Sequence, residues 1–211
     1  MITMSNFKGG SGATTLLLLL AHYLANIGKK VVLIDTTLDQ HLTRLHDRSV
    51  LLEEQLPFEF FSSSLSKVQM LIQRLNHDQA HTVLIDLPQF SFDADIFAIY
   101  KKLSIIIIPF QYGMLGLGPT IRFAITANRV IPKAKLIFLP NQLFANYLDA
   151  DLLAEQQNAL RLIGQLSTSI DLLSGLMQLA SMHIPPICLI SSAASLELLI
   201  NQYIFPINYS P

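Results

Sequence analysis

The residues able to do chemistry in this chain stand at the ends of short apolar runs. After Ile2–Met4 comes Asn6-Phe7-Lys8-Gly9-Gly10-Ser11-Gly12-Ala13-Thr14-Thr15, and then five leucines. Glycines at this spacing let the backbone curl tightly, so successive N–H groups converge on one anion at the N-terminus of the following helix. Thr14 falls where a hydroxyl reaches a Mg²⁺ ion held beside phosphates. Asp35 ends Val31–Ile34 and Asp86 ends Thr82–Ile85. A carboxylate in either place is a turn or helix cap, or part of a site. The six histidines, His22, His41, His46, His77, His81 and His183, show no metal-ligand spacing with Cys or carboxylates. The single cysteine, Cys188, excludes a disulfide framework and suits a reducing compartment.

These positions need strands and helices to hold them. Ile2–Met4, Val31–Ile34, Thr82–Ile85, Ser104–Ile108 and Leu136–Leu139 read as strands, with Ile187–Ile190 as a sixth. They are continuous apolar runs rather than alternating ones, as strands buried on both faces require. Helices are expected over Thr14–Ile27, Ser64–Asn76, Thr120–Val130, Ala150–Gln165 and Ser192–Gln202. Strand and helix alternating in this way predict an α/β fold, a mostly parallel twisted sheet with helices on both faces. In such sheets ligands bind at the carboxyl ends of the strands, which is where the glycine loop and both aspartates fall. Asp47–Ser66 is the least regular stretch and reads as an insertion or a mobile segment.

At 211 residues the chain is expected to form a single domain, 1–211. Lys and Arg number 14 against 15 Asp and Glu, so overall charge selects no partner. Leu16–Leu20 is soon followed by His22, Asn26 and Lys29, and Ser104–Gly118 contains Pro109 and Gln111. Neither reaches the ~20 apolar residues of a membrane span. The opening Met-Ile-Thr-Met lacks a basic region ahead of an apolar one, so a cytoplasmic protein is expected.

The opening loop resembles the deviant Walker A motif of the ParA/MinD family, Lys-Gly-Gly-x-Gly-Lys-(Ser/Thr)-Thr, at seven of its eight positions. The resemblance implies a P-loop NTPase that binds ATP or ADP with Mg²⁺. Its nucleotide-binding residues would be Lys8, Gly9, Gly10, Ser11, Gly12, Ala13, Thr14 and Thr15. It makes Lys8 the signature lysine that reaches a partner's phosphates across a dimer. The general P-loop lysine is replaced by Ala13. The resemblance continues through Asp35, in Asp35-Thr36-Thr37-Leu38-Asp39-Gln40, where Thr37 stands in place of the family's water-positioning Asp; Asp39 substitutes only if the loop is reshaped. It makes Asp86 the Walker B carboxylate beside the Mg²⁺ shell, with Thr14 as the other metal-side residue. Asn141 after Pro140 is either the base contact of the family or an ordinary turn residue. Ile187–Pro211, with its Tyr-x-Pro-like ending, resembles the family's last shared segment, without the further helix that anchors MinD-like members to membranes.

The resemblance implies a partitioning or positioning protein, acting as a homodimer or a mixed dimer with a ParA-like chain and answering to an adaptor protein. Lys8 and Asp35 would give catalytic support, with hydrolysis impaired by Ala13 and Thr37. The alternative is a pseudo-ATPase, a scaffold or regulatory subunit. A metabolic enzyme or iron–sulfur carrier of the same superfamily is a third reading; no Cys-x-x-Cys pair supports the carrier. Departure of the whole Thr36-Thr37-Leu38 tract favours natural degeneration over a laboratory change at Ala13. Lys101, Lys102, Arg122, Arg129, Lys133 and Lys135 fall in a stretch without acidic residues, Ile96–Leu148. They form either a surface for non-specific DNA, such as nucleoid DNA, or the solvated ends of core elements.

Overall fold

The computed structural model describes residues 1–76, 80–141, 149–170 and 174–206. Its centre is a sheet of seven parallel strands in the order β3-β2-β4-β1-β5-β6-β7. The strands are β1 (Ile2–Met4), β2 (Lys30–Asp35), β3 (Glu59–Ser62), β4 (His81–Asp86), β5 (Ile105–Phe110), β6 (Lys135–Pro140) and β7 (Gln165–Leu166). The helices are α1 (Ala13–Asn26), α2 (His41–Leu51), α3 (Leu65–Asn76), α4 (Ala94–Tyr100), α5 (Met114–Val130), α6 (Ala150–Arg161), α7 (Ser174–Met177) and α8 (Pro186–Leu199). A π-helical turn, Ile200–Ile204, continues α8.

Two apolar layers follow from the strand pleat, which sends successive side chains to opposite faces. Met4, Leu33, Leu84 and Ile107 pack under α1, α2 and α8. Ile34, Ile85, Ile106 and Phe138 pack under α3, α4, α5 and α6. Leu16 to Leu20 are all at 0% exposure, and five consecutive helical residues cover more than a full turn, so α1 is enclosed on every side. The segment leading into α8 closes its outer side. There the Met182 carbonyl pairs with Nε2 of His22 at 2.9 Å, and the Met182 N–H donates to Ser49 Oγ on α2 at 2.9 Å. The helix that carries the phosphate loop is thus the most enclosed one in the fold.

Several expected elements change. Ile187–Ile190 is not a strand: it lies in the first turns of α8, which opens with Pro186 at its N-terminal position. Proline is suited to that position because its missing N–H is not needed there. The helix expected to Gln165 ends at Arg161, and Gln165–Leu166 forms β7 instead. Gly164 makes the turn; a Cβ there would come within 2.9 Å of the Leu136 carbonyl. Asp47–Ser66 is not irregular, since it holds the end of α2, the edge strand β3 and the start of α3. Helix α5 begins six residues before the expected Thr120 and accommodates Pro119 in its early turns. Among the described residues, Pro186–Ile204 is one helical stretch with the length and hydropathy of a membrane span; Cys188, Ser192, Leu196 and Leu199 are its buried face within α8. The Tyr-x-Pro ending lies outside the described residues.

Candidate functional site

The parallel register sets the site. Asp35 pairs with Asp86 on neighbouring strands, so both carboxylates emerge at one level, at the carboxyl edge of the sheet. The glycine loop leaves the adjacent β1 at the same edge. Around it lies a cavity of about 530 Å³. Its walls include Lys8, Gly9, Gly10, Ser11, Gly12, Ala13, Thr14 and Thr15, together with Thr37, Asp39, Asp86 and Gln89.

The loop is held from below by residues that sequence reading passed over. Asn6 Nδ2 donates to the Pro109 carbonyl at 2.9 Å and to Thr120 Oγ1 at 2.8 Å, while its Oδ1 accepts the Lys8 N–H at 3.3 Å. Gln89 Nε2 donates to the Phe7 carbonyl at 2.7 Å. Gly12 takes φ +83°, a left-handed conformation that glycine adopts without strain, as the residue before α1. A Cβ at Gly12 would also come within 2.7 Å of Asn141 Nδ2. Asn141 is 2% exposed and donates through Nδ2 to the Ser11 carbonyl at 2.8 Å. It is therefore a buried latch on the loop rather than an exposed turn residue. Its Oδ1 is buried and without a hydrogen-bond partner, and Asn141 is not among the residues that line the cavity.

Asp86 and Asp35 differ sharply. Asp86 accepts the Thr14 hydroxyl, and its Oδ2 is buried with no partner. Burial, with the nearby carboxylates of Asp35 and Asp39, outweighs the Thr14 hydrogen bond and pushes the Asp86 carboxyl up to about 7. An orphaned carboxylate oxygen beside a threonine hydroxyl fits a hydrated Mg²⁺, a hard cation that takes oxygen ligands and keeps several waters. Asp35, by contrast, has its acceptor positions occupied. Oδ1 takes Thr37 N–H at 2.9 Å and Thr37 Oγ1 at 2.6 Å; Oδ2 takes Thr43 N–H at 3.0 Å and Thr43 Oγ1 at 2.8 Å. Thr37 thus caps the aspartate it follows. Thr36 is turned to the Asp86 carbonyl at 2.7 Å. Among the described residues Lys8 is the one Lys or Arg lining the cavity, whose walls also hold Asp39 and Asp86.

A phosphate-cradling loop between a central strand and an enclosed helix, on an all-parallel sheet, defines a P-loop nucleotide-binding protein. The model of the CobQ/CobB/MinD/ParA nucleotide-binding domain matches residues 2–182. The chain belongs to that family. No curated protein matches its sequence significantly. Among solved structures it is similar to the MinD cell division protein of Aquifex aeolicus, with 16% identity, 98% of this chain and 97% of that one covered, and a TM-score of 0.71. MinD of Pyrococcus horikoshii, solved with Mg-ADP, shares 15% identity over 100% and 98% of the two chains, with a TM-score of 0.70. A plasmid partition protein of Borrelia burgdorferi bound to AMPPNP shares 15% identity over 95% and 98%, with a TM-score of 0.66.

Proposed function

We propose that this chain is a ParA/MinD-like positioning switch that binds ATP or ADP with Mg²⁺ and hydrolyses it slowly or not at all. The observation that carries this reading is the orphaned Asp86 Oδ2 beside Thr14 at the mouth of the glycine loop. Thr14 and Asp86 would hold hydrated Mg²⁺, which neutralises phosphate charge when bound. The loop N–H groups from Gly9 to Thr15 would cradle the phosphates, and Asn141 Oδ1 would accept from the base.

Ala13 supplies no ammonium, which removes a charge-assisted contribution of ~1.5–3 kcal/mol. At the pocket wall, Lys8 is the remaining cation, placed to serve its own site or that of a second copy in a homodimer or mixed dimer. Asp35 is occupied by Thr37 and Thr43, so no free carboxylate at that position orients an attacking water. Asp39 lines the cavity but is exposed on the loop. The protein would work in the cytoplasm with an adaptor protein and a DNA surface, as partitioning switches require.

Calorimetric titration with Mg-ATP, paired with a phosphate-release assay with and without DNA, tests this. Saturable binding with negligible turnover is expected; rapid turnover by the unaltered chain would overturn the slow-switch reading. The second reading, a pseudo-ATPase scaffold that needs no nucleotide, is favoured by the occupied Asp35. It would be supported by an absence of any heat with Mg-ATP and of any rescue by Ala13→Lys.

A further inference from the structure

A second polar cavity lies at the far edge of the sheet, apart from the glycine loop. It measures about 420 Å³ and sits where β6 and β7 end, beside α6. None of the residues lining it also lines the cavity around the glycine loop. The strand order puts β7 three interstrand spacings from β1, roughly 14 Å. Helix periodicity supplies one wall: Leu153, Gln157 and Arg161 stand four residues apart and share one face of α6. Ser167, Thr168 and Ser169, which follow β7, supply another, and Tyr112, after β5, a third. Backbone bonds fix the β7 side. The Ser167 N–H donates to the Phe138 carbonyl at 2.9 Å, and the Ile170 N–H to the Pro140 carbonyl at 3.0 Å.

Hydrogen-bond donors collect in this cavity and carboxylates do not. Among the described residues no Asp or Glu lines it. Nor does a described carboxylate lie within 4.0 Å of Arg161, since the ion pairs are His46–Asp47 and His81–Glu59. The Tyr112 hydroxyl pairs with the Gln157 side chain, within reach of the Arg161 charge. Ser167 is 6% exposed, and its hydroxyl is buried without a hydrogen-bond partner. Leaving a buried hydroxyl unpaired costs roughly 1–3 kcal/mol. One trapped water would meet that need, but it would leave the guanidinium without a counter-charge. Pro140, Leu153 and Leu166 add apolar surface to the same cavity.

We propose that this cavity is a binding site for a small organic acid, an apolar body carrying one oxyanion group, held by the Arg161 guanidinium and the Ser167 hydroxyl. A guanidinium presents paired N–H donors that match the oxygens of a carboxylate or a phosphate. The Ser167 hydroxyl donates to a further oxygen of the same group, and the apolar residues cover the body of the ligand. The volume falls within the ~300–1,000 Å³ of small-molecule sites, enough for a ring and its head group. The site stands independently of the nucleotide reading. It is nevertheless close to the glycine loop in the chain, because Pro140 precedes Asn141. The Asn141 N–H bonds the Phe110 carbonyl at 2.8 Å, and its side chain holds the Ser11 carbonyl. A ligand against Pro140 therefore lies one residue from that latch.

Amide NMR of the labelled full chain, titrated separately with benzoate, phenyl phosphate and the neutral benzamide, decides the matter. Saturable shifts at Arg161 and Leu166–Ser169 are expected with at least one acid, at a dissociation constant on the order of 1 mM, and not with benzamide. The acid that binds more tightly identifies the head group as carboxylate or phosphate. Arg161→Gln should weaken binding roughly tenfold or more, Arg161→Lys less, and Ser167→Ala about two- to tenfold. Lys8→Ala should change nothing. Circular dichroism melts check that the variants fold. No saturation by either acid up to about 20 mM, equal binding of benzamide, or affinity unchanged in Arg161→Gln would overturn the proposal. So would binding lost in Lys8→Ala, which would put the anion at the glycine loop. Calorimetry with Mg-ATP is read separately, so failure of this site leaves the P-loop reading standing, and the reverse.

Discussion

Asp35 and Asp86 end neighbouring strands in the same register and are 1% and 3% exposed, yet their surroundings give them opposite roles. Four donors from Thr37 and Thr43 surround Asp35, which thereby fastens the loop after β2 to the start of α2. Asp86 receives one hydroxyl and keeps an oxygen unpartnered. A buried carboxylate is costly unless its hydrogen bonds are complete. Asp35 meets that condition with its own chain. Asp86 leaves it to be met by something that binds. The comparison separates a structural aspartate from one kept for a ligand, although both follow the same Ile-Asp ending of a strand.

The contrast is broken most strongly at Asp86. Its folded pKa, about 7, lies above the ordinary 3.8, so the folded protein holds a proton that the unfolded chain releases. Stability of the nucleotide-free protein should therefore fall as pH rises from about 4 to about 7 and stay low above that. Asp86→Asn should remove this slope, raise stability at pH 8 by up to a few kcal/mol, and abolish stabilisation by Mg-ATP. Urea unfolding at pH 5 and pH 8, with and without Mg-ATP, reads all three. Asp35→Ala should act in the other direction, leaving the half-buried donors of Thr37 and Thr43 without their acceptor and costing about 3 kcal/mol. An Asp35→Ala variant as stable as the parent would remove the structural role assigned to that carboxylate. Ala13→Lys should strengthen Mg-ATP binding by roughly 10- to 150-fold, measured by calorimetry, with little gain in phosphate release while Asp35 stays capped. Thr37→Val is the mildest test. It removes one donor to Asp35 and should cost about 1 kcal/mol in urea unfolding while leaving nucleotide affinity unchanged.

What could be read beforehand follows the range of the interactions. The glycine loop, Thr14, Asp35 and Asp86 are local patterns, a strand ending in a loop or carboxylate, and the fold places them at one edge as expected. Asn6, Gln89 and Thr43 carry the geometry through partners that sequence adjacency does not reveal; Asn6 reaches Thr120, 114 residues away. No spacing rule marks such contacts. Thr37 was legible as a missing carboxylate but not as a cap, because its partner is set by the turn after β2. Ile187–Ile190 was misread because an apolar run in a helix apolar on all sides looks the same as a buried strand. Pro185-Pro186, a helix-opening signal, was the clue available. The edge strand β3 escaped notice because Glu59 and the serines around it lack the apolar continuity of the central strands.

The Gly12–Asn141 contact has a bearing on how such a site can be altered. The loop's curvature and the Asn141 amide are one mechanical part, since the amide leans on Gly12, one of two left-handed glycines in the loop. A phosphate loop transplanted from a relative would have to bring the glycine, and its acceptor carbonyl at position 11, in the same pose, or Asn141 would be displaced. Changes elsewhere in the loop, such as the alanine at 13, leave that coupling untouched. The phosphate side of the loop can therefore change in this chain without disturbing the Asn141 latch.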